Sequence, residues 1–443
     1  MRDCTICEKN DWKDVDAFRG VQAQIGGKKS PMMLCKNCGF VTYDIDQETL
    51  NEYYRNDYRN PSFGNVVTGA RKINYHQAFL DPLFKMWKSL EKTKPVVCDT
   101  GAAMGIFLNW MQQNLPEGEY YGTEYTESMR KVAYYEYGLK LTEEFDTSKK
   151  YDLISSYKVA EHQLNVKEEL LKYKECLTDD GYLYVSVPTW FGVMNSFGSN
   201  GFVLSSHDLR ITSYYDIRHV NSWSRKLFET LLKKCGFQVC HEDHDAYDST
   251  YLCKRNDELM KEEPAYEDVN QIVDCMSRIQ KAWNFAEQGK FKEALDSYGN
   301  YPLAWKGLFE GNRAKIQNDI VTSGQDPVSY IEQNFILPCL EKTNRHWYAI
   351  EICADLYMKY DAFKKAADLL HEGLEKRHNN AVFLNMMATT LRAAAEKSSD
   401  PEERHNLMMG SINHLKVLRT TDFAMRGQAS DMCYNAEAQL PLP

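Results

Sequence analysis

Two Cys-x-x-Cys pairs stand near the amino terminus, Cys4 and Cys7 in CTIC and Cys35 and Cys38 in CKNCG. Each pair can place two thiolates on one tight knuckle, and two knuckles complete a tetrahedral sulfur site for zinc. Gly39, directly after the second pair, suits the backbone turn such a knuckle needs. A closed site of four sulfurs keeps no open position, so the metal would be structural and not catalytic. Four unrelated thiols, or a redox pair, are the competing readings of the same residues.

The second chemical signal is VVCDTGAAMGIFL at 96–108. An apolar run ends in Asp99, turns through Gly101, Ala103 and Gly105, and enters a helical pattern. Such a turn points backbone N–H groups at whatever lies beside it. In dinucleotide sites the middle glycine lets the chain approach a pyrophosphate. Here Ala103 adds a methyl group at that point. That disfavours a pyrophosphate and tolerates a ligand that lays amino-acid and ribose parts across the turn. About twenty residues on, YYGTEYTES puts Glu124 at a strand end, with Tyr125 beside it. A carboxylate there can accept both ribose hydroxyls.

The elements that must position these groups follow a regular order. VVCDTG, YYGTEY, YDLISSY and GYLYVSVP read as strands, and GIFLNWMQQNL, TESMRKVAYYEYG and KEELLKYKECL as helices between them. Alternation of this kind implies a parallel sheet with helices on both faces. SRKLFETLLKKCGFQVCHE adds a helix, a glycine stop and a further strand. Residues 46–95 read as a helical, polar-aromatic connector or lid. KRNDELMKEEPAYED at 254–268 is charged and broken by Pro264, and reads as a linker. From 269 to 443 the pattern is helical. There AEQGKFKEALDSY and MKYDAFKKAADLL repeat Phe291/Phe363 and Ala294/Ala366 at matching offsets. These segments resemble the tetratricopeptide repeat, a helix–turn–helix unit that stacks into a solenoid; an unrelated helical bundle is the alternative.

Composition bounds the classes. A net charge of -10 argues against a general nucleic-acid coat. No apolar run approaches eighteen residues, so no membrane helix is expected. Thirteen cysteines without a leader-like segment read as reduced thiols or metal ligands of a cytoplasmic protein.

The order DTGAAMG, Glu124, YDLISSYKVAEH, DDGYLYVSVP, HVNSWS and KKCGF resembles the class I S-adenosylmethionine-dependent methyltransferases. The closest subgroup also carries an amino-terminal paired-cysteine zinc domain and a stretch like YYRNDYR. Several of its members tailor sugars, polysaccharides or natural products. The resemblance covers residues 1–253. It implies a Rossmann-like sheet in which Asp99 and Gly101–Gly105 form the first cofactor loop and Glu124 holds the ribose. It places adenine near Glu143, Glu144 and Phe145, and puts the methionine side and reaction centre along Tyr157–His162. The Asn/Asp-Pro-Pro-Tyr/Phe motif of DNA amino-methyltransferases is absent, which disfavours nucleobase acceptors.

Methyl transfer needs an aligned nucleophile and often a base. Histidine suits the base role. His162, preceded by Glu161 at a strand end, is the first candidate; its bland reading is a hydrogen-bonded structural histidine. His219 in RHVNSW and His207 in the 189–218 insert are the next. That insert, rich in Tyr, Phe, Ser and Gly, is expected to form much of the acceptor site. HEDHD at 241–245 reads as a solvated strand edge and not as a metal site. The expected protein is thus α/β: a zinc ribbon at 1–45, a methyltransferase sheet at 96–253 and an all-α repeat region. Its acceptor is a small molecule or sugar, methylated at oxygen or carbon. The alternatives are a protein methyltransferase whose repeats dock the substrate, and a scaffold with a degenerate methyltransferase domain.

Overall fold

The computed structural model describes residues 2–15, 24–25, 28–56, 93–189, 220–244, 248–264, 266, 268–345, 347–376, 381–421 and 432. They divide into two compact units, one up to Gln280 and one from Lys281.

The first unit holds two main sheets. β1 (Trp12–Asp14), β4 (Met32–Cys35) and β5 (Val41–Tyr43) pair antiparallel, and a hairpin of β2 (Gln24–Ile25) and β3 (Lys28–Lys29) lies between β1 and β4 in sequence. Helix α1 (Gln47–Asn56) follows. The large sheet runs through β6 (Val96–Asp99), β7 (Glu119–Gly122), β8 (Tyr151–Tyr157), β9 (Leu177–Pro188), β11 (Phe237–His244) and β12 (Asp248–Arg255). Its spatial order is β11-β12-β9-β8-β6-β7. β7, β6, β8 and β9 are parallel, as the strand–helix alternation requires. β12 inserts antiparallel between β9 and β11, so the sheet is mixed where an all-parallel one is expected. Helices α2 (Ile106–Asn114), α3 (Glu127–Tyr137), α4 (Val166–Cys176) and α5 (Arg225–Lys234) connect the strands. The segment after α3 makes a single bridge, Thr142 to Thr123, in place of a third parallel strand. The two charged residues that follow it, Glu143 and Glu144, face solvent.

The ribbon at 1–45 does not stand apart. β10 (Asn221–Ser222), from far along the chain, adds to β5 with Asn221 opposite Thr42. Phe40 stacks on Trp223 at 5.8 Å, and Trp223 packs on Phe228 of α5 at 4.9 Å. All four cysteines share one apolar cluster with Ile154, Leu183, Val185 and Tyr251 of the large sheet. Cores that interpenetrate in this way unfold together.

The 254–268 stretch also differs from expectation. Lys254 and Arg255 finish β12, and Asp257–Lys261 forms a turn. Asp257 reaches the buried Lys174 ammonium at 2.8 Å, and Lys226 donates to the Tyr266 carbonyl at 2.9 Å. The charge that reads as a linker is therefore used to satisfy a buried cation.

The second unit is helical. Its helices include α6 (Val269–Glu287), which begins before the division, α7 (Phe291–Ser297), α8 (Pro302–Gly311), α9 (Arg313–Ser323), α10 (Pro327–Ile331), α11 (Leu337–Lys342), α12 (Trp347–Lys359), α13 (Phe363–Lys376), α14 (Ala381–Lys397) and α15 (Pro401–Thr421). The two segments that resemble each other also turn alike. Gly289 and Asp361, each two residues before the shared Phe, are left-handed with φ of 71° and 58°. Lys290 N–H bonds to Phe285 O at 2.9 Å, and Ala362 N–H bonds to Tyr357 O at 3.0 Å. Ala294 and Ala366 are fully buried. The recurring small residue sits where helices must approach closely. Among the described residues no helix is long and apolar enough to cross a membrane.

Glu351 of α12 supplies a stability prediction. Burial pushes its carboxyl up from 4.5 to about 7, aided by Asp355 and opposed by Lys306. The raised acid holds its proton more tightly folded than unfolded. Its ionisation therefore costs stability progressively as pH rises from 4.5 to about 7. Glu351→Gln should melt above the parent at pH 8, by up to about 3 kcal/mol, and match it near pH 4.5. Thermal unfolding by circular dichroism at both pH values checks this; an equal gap at both would refute it.

Candidate functional site

The carboxyl ends of β6, β7 and β8 converge where the strand order reverses, with β7 on one side of β6 and β8 on the other. Crevices for ligands form at such a switch point. Asp99 closes β6 and is buried. Thr100 fixes the start of the loop by donating its N–H and hydroxyl to Ser155 O, at 2.8 and 3.0 Å. Three residues then take left-handed φ: Gly101 at 64°, Ala103 at 51° and Gly105 at 75°. A Cβ on Gly101 would lie 2.6 Å from Val159 Cγ2, and one on Gly105 would lie 2.7 Å from Leu139 Cδ1. Glycine is needed at both for space as well as for conformation. Ala103 adopts the same region without that freedom, at about 1–2 kcal/mol.

Glu124 offsets this cost. Its Oε2 accepts the Ala103 N–H at 2.9 Å, and its Oε1 accepts the Thr126 N–H at 2.8 Å. The loop thus carries its own anion. A phosphate brought to the Ala103 N–H would meet the Glu124 carboxylate, which gives a physical reason for the alanine. An ionised carboxylate has about four lone-pair sites. Two are used here, and two remain for a pair of hydroxyls. A ribose-bearing, phosphate-free ligand fits that donor and acceptor set.

The other sequence-derived contacts divide. Glu143 and Glu144 are exposed and Tyr125 is 54% exposed. The Phe145 ring turns into the core, 5.5 Å from the Tyr151 ring and 5.3 Å from that of Tyr173. Arg130 organises this edge from α3 by donating to the carbonyls of Glu124 and Tyr125. At the end of β8, the Tyr157 ring stacks on Tyr184 at 6.4 Å. The Ala160–His162 turn follows. Glu161 is 0% exposed, and its Oε1 lies 3.9 Å from His162 Nε2. Val159, packed against Gly101, brings this turn beside the glycine loop. His207, His219 and the insert at 190–218 lie outside the described residues. Sequence reasoning missed Asn221, which is buried and donates to Ala160 O at 3.2 Å and to Gln163 O. The nearest cue in the sequence is HVNSW.

The four cysteines meet as their spacing requires. All are buried and their sulfurs lie within 4.8 Å of one another, with Cys4–Cys38 at 3.6 Å and Cys7–Cys35 at 3.4 Å. Tetrahedral zinc with 2.3 Å bonds asks for sulfurs about 3.8 Å apart. The knuckles are alike: Glu8 N–H returns to Cys4 O at 2.8 Å and Gly39 N–H to Cys35 O at 3.0 Å. Glu8 and Gly39 both take left-handed φ, at 62° and 84°. Hydrogen bonds from Cys38, Cys4 and Cys7 hold the Cys35 thiol far below its ordinary range, and the same sharing raises Cys38. A donor set of four buried, converging sulfurs fits structural zinc.

No curated protein matches the sequence. Among solved structures, the chain is similar to magnesium protoporphyrin IX methyltransferase of Synechocystis PCC 6803 with bound SAH, at 14% identity and a TM-score of 0.34, over 48% of this chain and 100% of that one. It is similar to an O-methyltransferase family 2 protein of Planctomyces limnophilus DSM 3776 in complex with apigenin, at 13% identity and a TM-score of 0.30. There it covers 36% of this chain and 51%, about half, of the other. A TehB-like SAM-dependent methyltransferase of Corynebacterium glutamicum is similar at 11% identity and a TM-score of 0.28, over 44% of this chain and 92% of that one. Residues 72–242, which carry the glycine loop, Glu124 and the Glu161–His162 turn, match the family model of a methyltransferase domain.

Proposed function

We propose that this chain transfers a methyl group from S-adenosylmethionine to a small-molecule or sugar acceptor, at oxygen or carbon. The observation that carries the reading is the Glu124 carboxylate, which holds the Ala103 N–H at 2.9 Å and keeps lone pairs for two hydroxyls. S-adenosylmethionine, when bound, supplies an electrophilic methyl on a sulfonium. The chain's residues do the rest. Gly101, Ala103 and Gly105 present a closely approachable backbone, Glu124 orients the ribose, and Asp99 supports the loop from beneath. His162 takes the acceptor proton, with Glu161 buried beside it to orient the ring. Tyr157 lines the methionine side. Tyr125 and the Glu144 backbone border the adenine end. Zinc is structural and held by Cys4, Cys7, Cys35 and Cys38.

A second reading, a polypeptide acceptor docked by the helical unit, draws on the matched turns at Gly289 and Asp361, which suit tetratricopeptide-like hairpins. A non-catalytic scaffold is disfavoured, because Ala103 is accommodated by Glu124 and does not break the loop. Calorimetry with S-adenosylmethionine tests the shared premise. Labelled methyl transfer into a lysate split into protein and small-molecule fractions separates the acceptors. Label confined to the protein fraction would overturn the leading reading, and absence of binding would overturn both enzymatic ones.

A further inference from the structure

We propose that Asn221 is a positioning residue, through which the four-cysteine sheet sets the geometry of the Glu161–His162 turn. The inference rests on the functional reading of that turn given above.

Asn221 is 1% exposed and belongs to β10, the strand that joins the cysteine sheet. Its amide nitrogen faces two carbonyls, Ala160 O at 3.2 Å and Gln163 O. These carbonyls bracket Glu161 and His162. An NH2 group can satisfy both and a carbonyl oxygen neither, so the amide orientation is fixed. The turn needs such support. Its own backbone bonds are His162 N–H to Val159 O at 2.9 Å and Gln163 N–H to Ala160 O at 3.2 Å. A turn that short does not hold its geometry by itself.

On its other side Asn221 is tied to the cysteine sheet. Its Oδ1 lies 3.2 Å from the Thr42 hydroxyl, which also lies 2.9 Å from Val220 O. Thr42 is in β5, whose Val41 pairs with Leu34, the neighbour of Cys35. The first knuckle reaches the same turn independently: Thr5, between Cys4 and Cys7, donates to Leu164 O at 3.4 Å. Both knuckles therefore bear on the segment around His162, at Ala160, Gln163 and Leu164. Burial within one cluster would not by itself require an amide aimed at these two carbonyls.

The test uses the full-length, zinc-loaded chain with carbon-13-labelled histidine. The sequence has 11 histidines, and His162→Gln assigns the resonance. Asn221→Ala should shift the His162 ring signal and move its titration midpoint by about 0.5 unit or more, the scale of a changed carboxylate partner. S-adenosylmethionine affinity should stay within about threefold, because Asn221 does not touch the glycine loop. Thr42→Val, nearly isosteric, should shift the same signal less and in the same direction, as should stripping the metal with a chelator. The proposal is overturned if Asn221→Ala lowers the melting temperature yet leaves the His162 signal and midpoint at parent values. Should that variant not fold, Thr42→Val decides by the same criterion. A parent that binds no S-adenosylmethionine would sink the functional reading, while the histidine signal still decides whether Asn221 sets the turn.

Discussion

Cys35→Ser should lose the metal and lower the melting temperature of the whole first unit. Sequence spacing alone predicts a narrower effect, a loosened ribbon beside an intact sheet. The structure argues otherwise, because Cys35 shares its cluster with Trp223, Phe228 and Tyr251. Asn221 carries the same sheet to the turn after β8. Structural zinc contributes on the order of 10 kcal/mol to small finger peptides. If about 3 kcal/mol of this is felt here, the unfolding midpoint should fall by roughly 6–12 °C, at roughly 2–4 °C per kcal/mol for a domain of this size. Serine also leaves three thiols facing a weak ligand in a fully buried position. Metal analysis should find about one zinc per parent chain and almost none in the variant. Near-ultraviolet circular dichroism should show Trp223 and the tyrosines of the large sheet melting together and earlier. A variant that keeps its zinc, or a zinc-free one that melts like the parent, would sink the idea of a shared metal-dependent core.

The cysteine knuckles and the glycine-rich turn are legible in the sequence because each is local. Cys-x-x-Cys fixes a knuckle whatever surrounds it, and a glycine-rich strand-to-helix turn needs left-handed residues at set offsets. What escaped the sequence was long-range. Thr42 and Asn221 are 179 residues apart, and nothing in VTY or HVNSW announces that they pair. Lys174 is buried against Asp257, 83 residues on. From KYKEC it reads as one more surface lysine, and its partner as part of a charged linker. The resemblance puts Phe145 near adenine, after a third parallel strand. A single bridge at Thr142 stands there instead, and the aromatic ring packs against Tyr151 and Tyr173. The antiparallel β12 was missed for a similar reason. Its residues DSTYLCKR carry strand propensity, but their direction is set by pairing with β9, some sixty residues away in sequence.

Glu124→Ala should weaken S-adenosylmethionine binding by on the order of tenfold to a thousandfold. Charge-assisted hydrogen bonds from two ribose hydroxyls are each worth roughly 1.5–3 kcal/mol, and every 1.4 kcal/mol is about tenfold. The structure adds a second loss. The same carboxylate holds the Ala103 and Thr126 N–H groups at 2.9 and 2.8 Å. Without it Ala103 keeps its left-handed φ of 51° unsupported. Stability should therefore fall by about 1–2 kcal/mol, water replacing part of the lost bonding at this half-buried position. Glu124→Gln separates the two losses. Its single amide oxygen can still accept one backbone N–H, so it should fold like the parent and bind at an intermediate strength. Ala103→Gly removes the left-handed strain of about 1–2 kcal/mol but frees the unfolded chain by about 0.4–1 kcal/mol. It should be near neutral for stability and for binding. Titration calorimetry and thermal melts of the three variants check the set. If Glu124→Ala binds as tightly as the parent, ribose does not sit at the end of β7. The loop would then be a structural turn clamped by its own carboxylate, and the methyl donor would have to lie elsewhere.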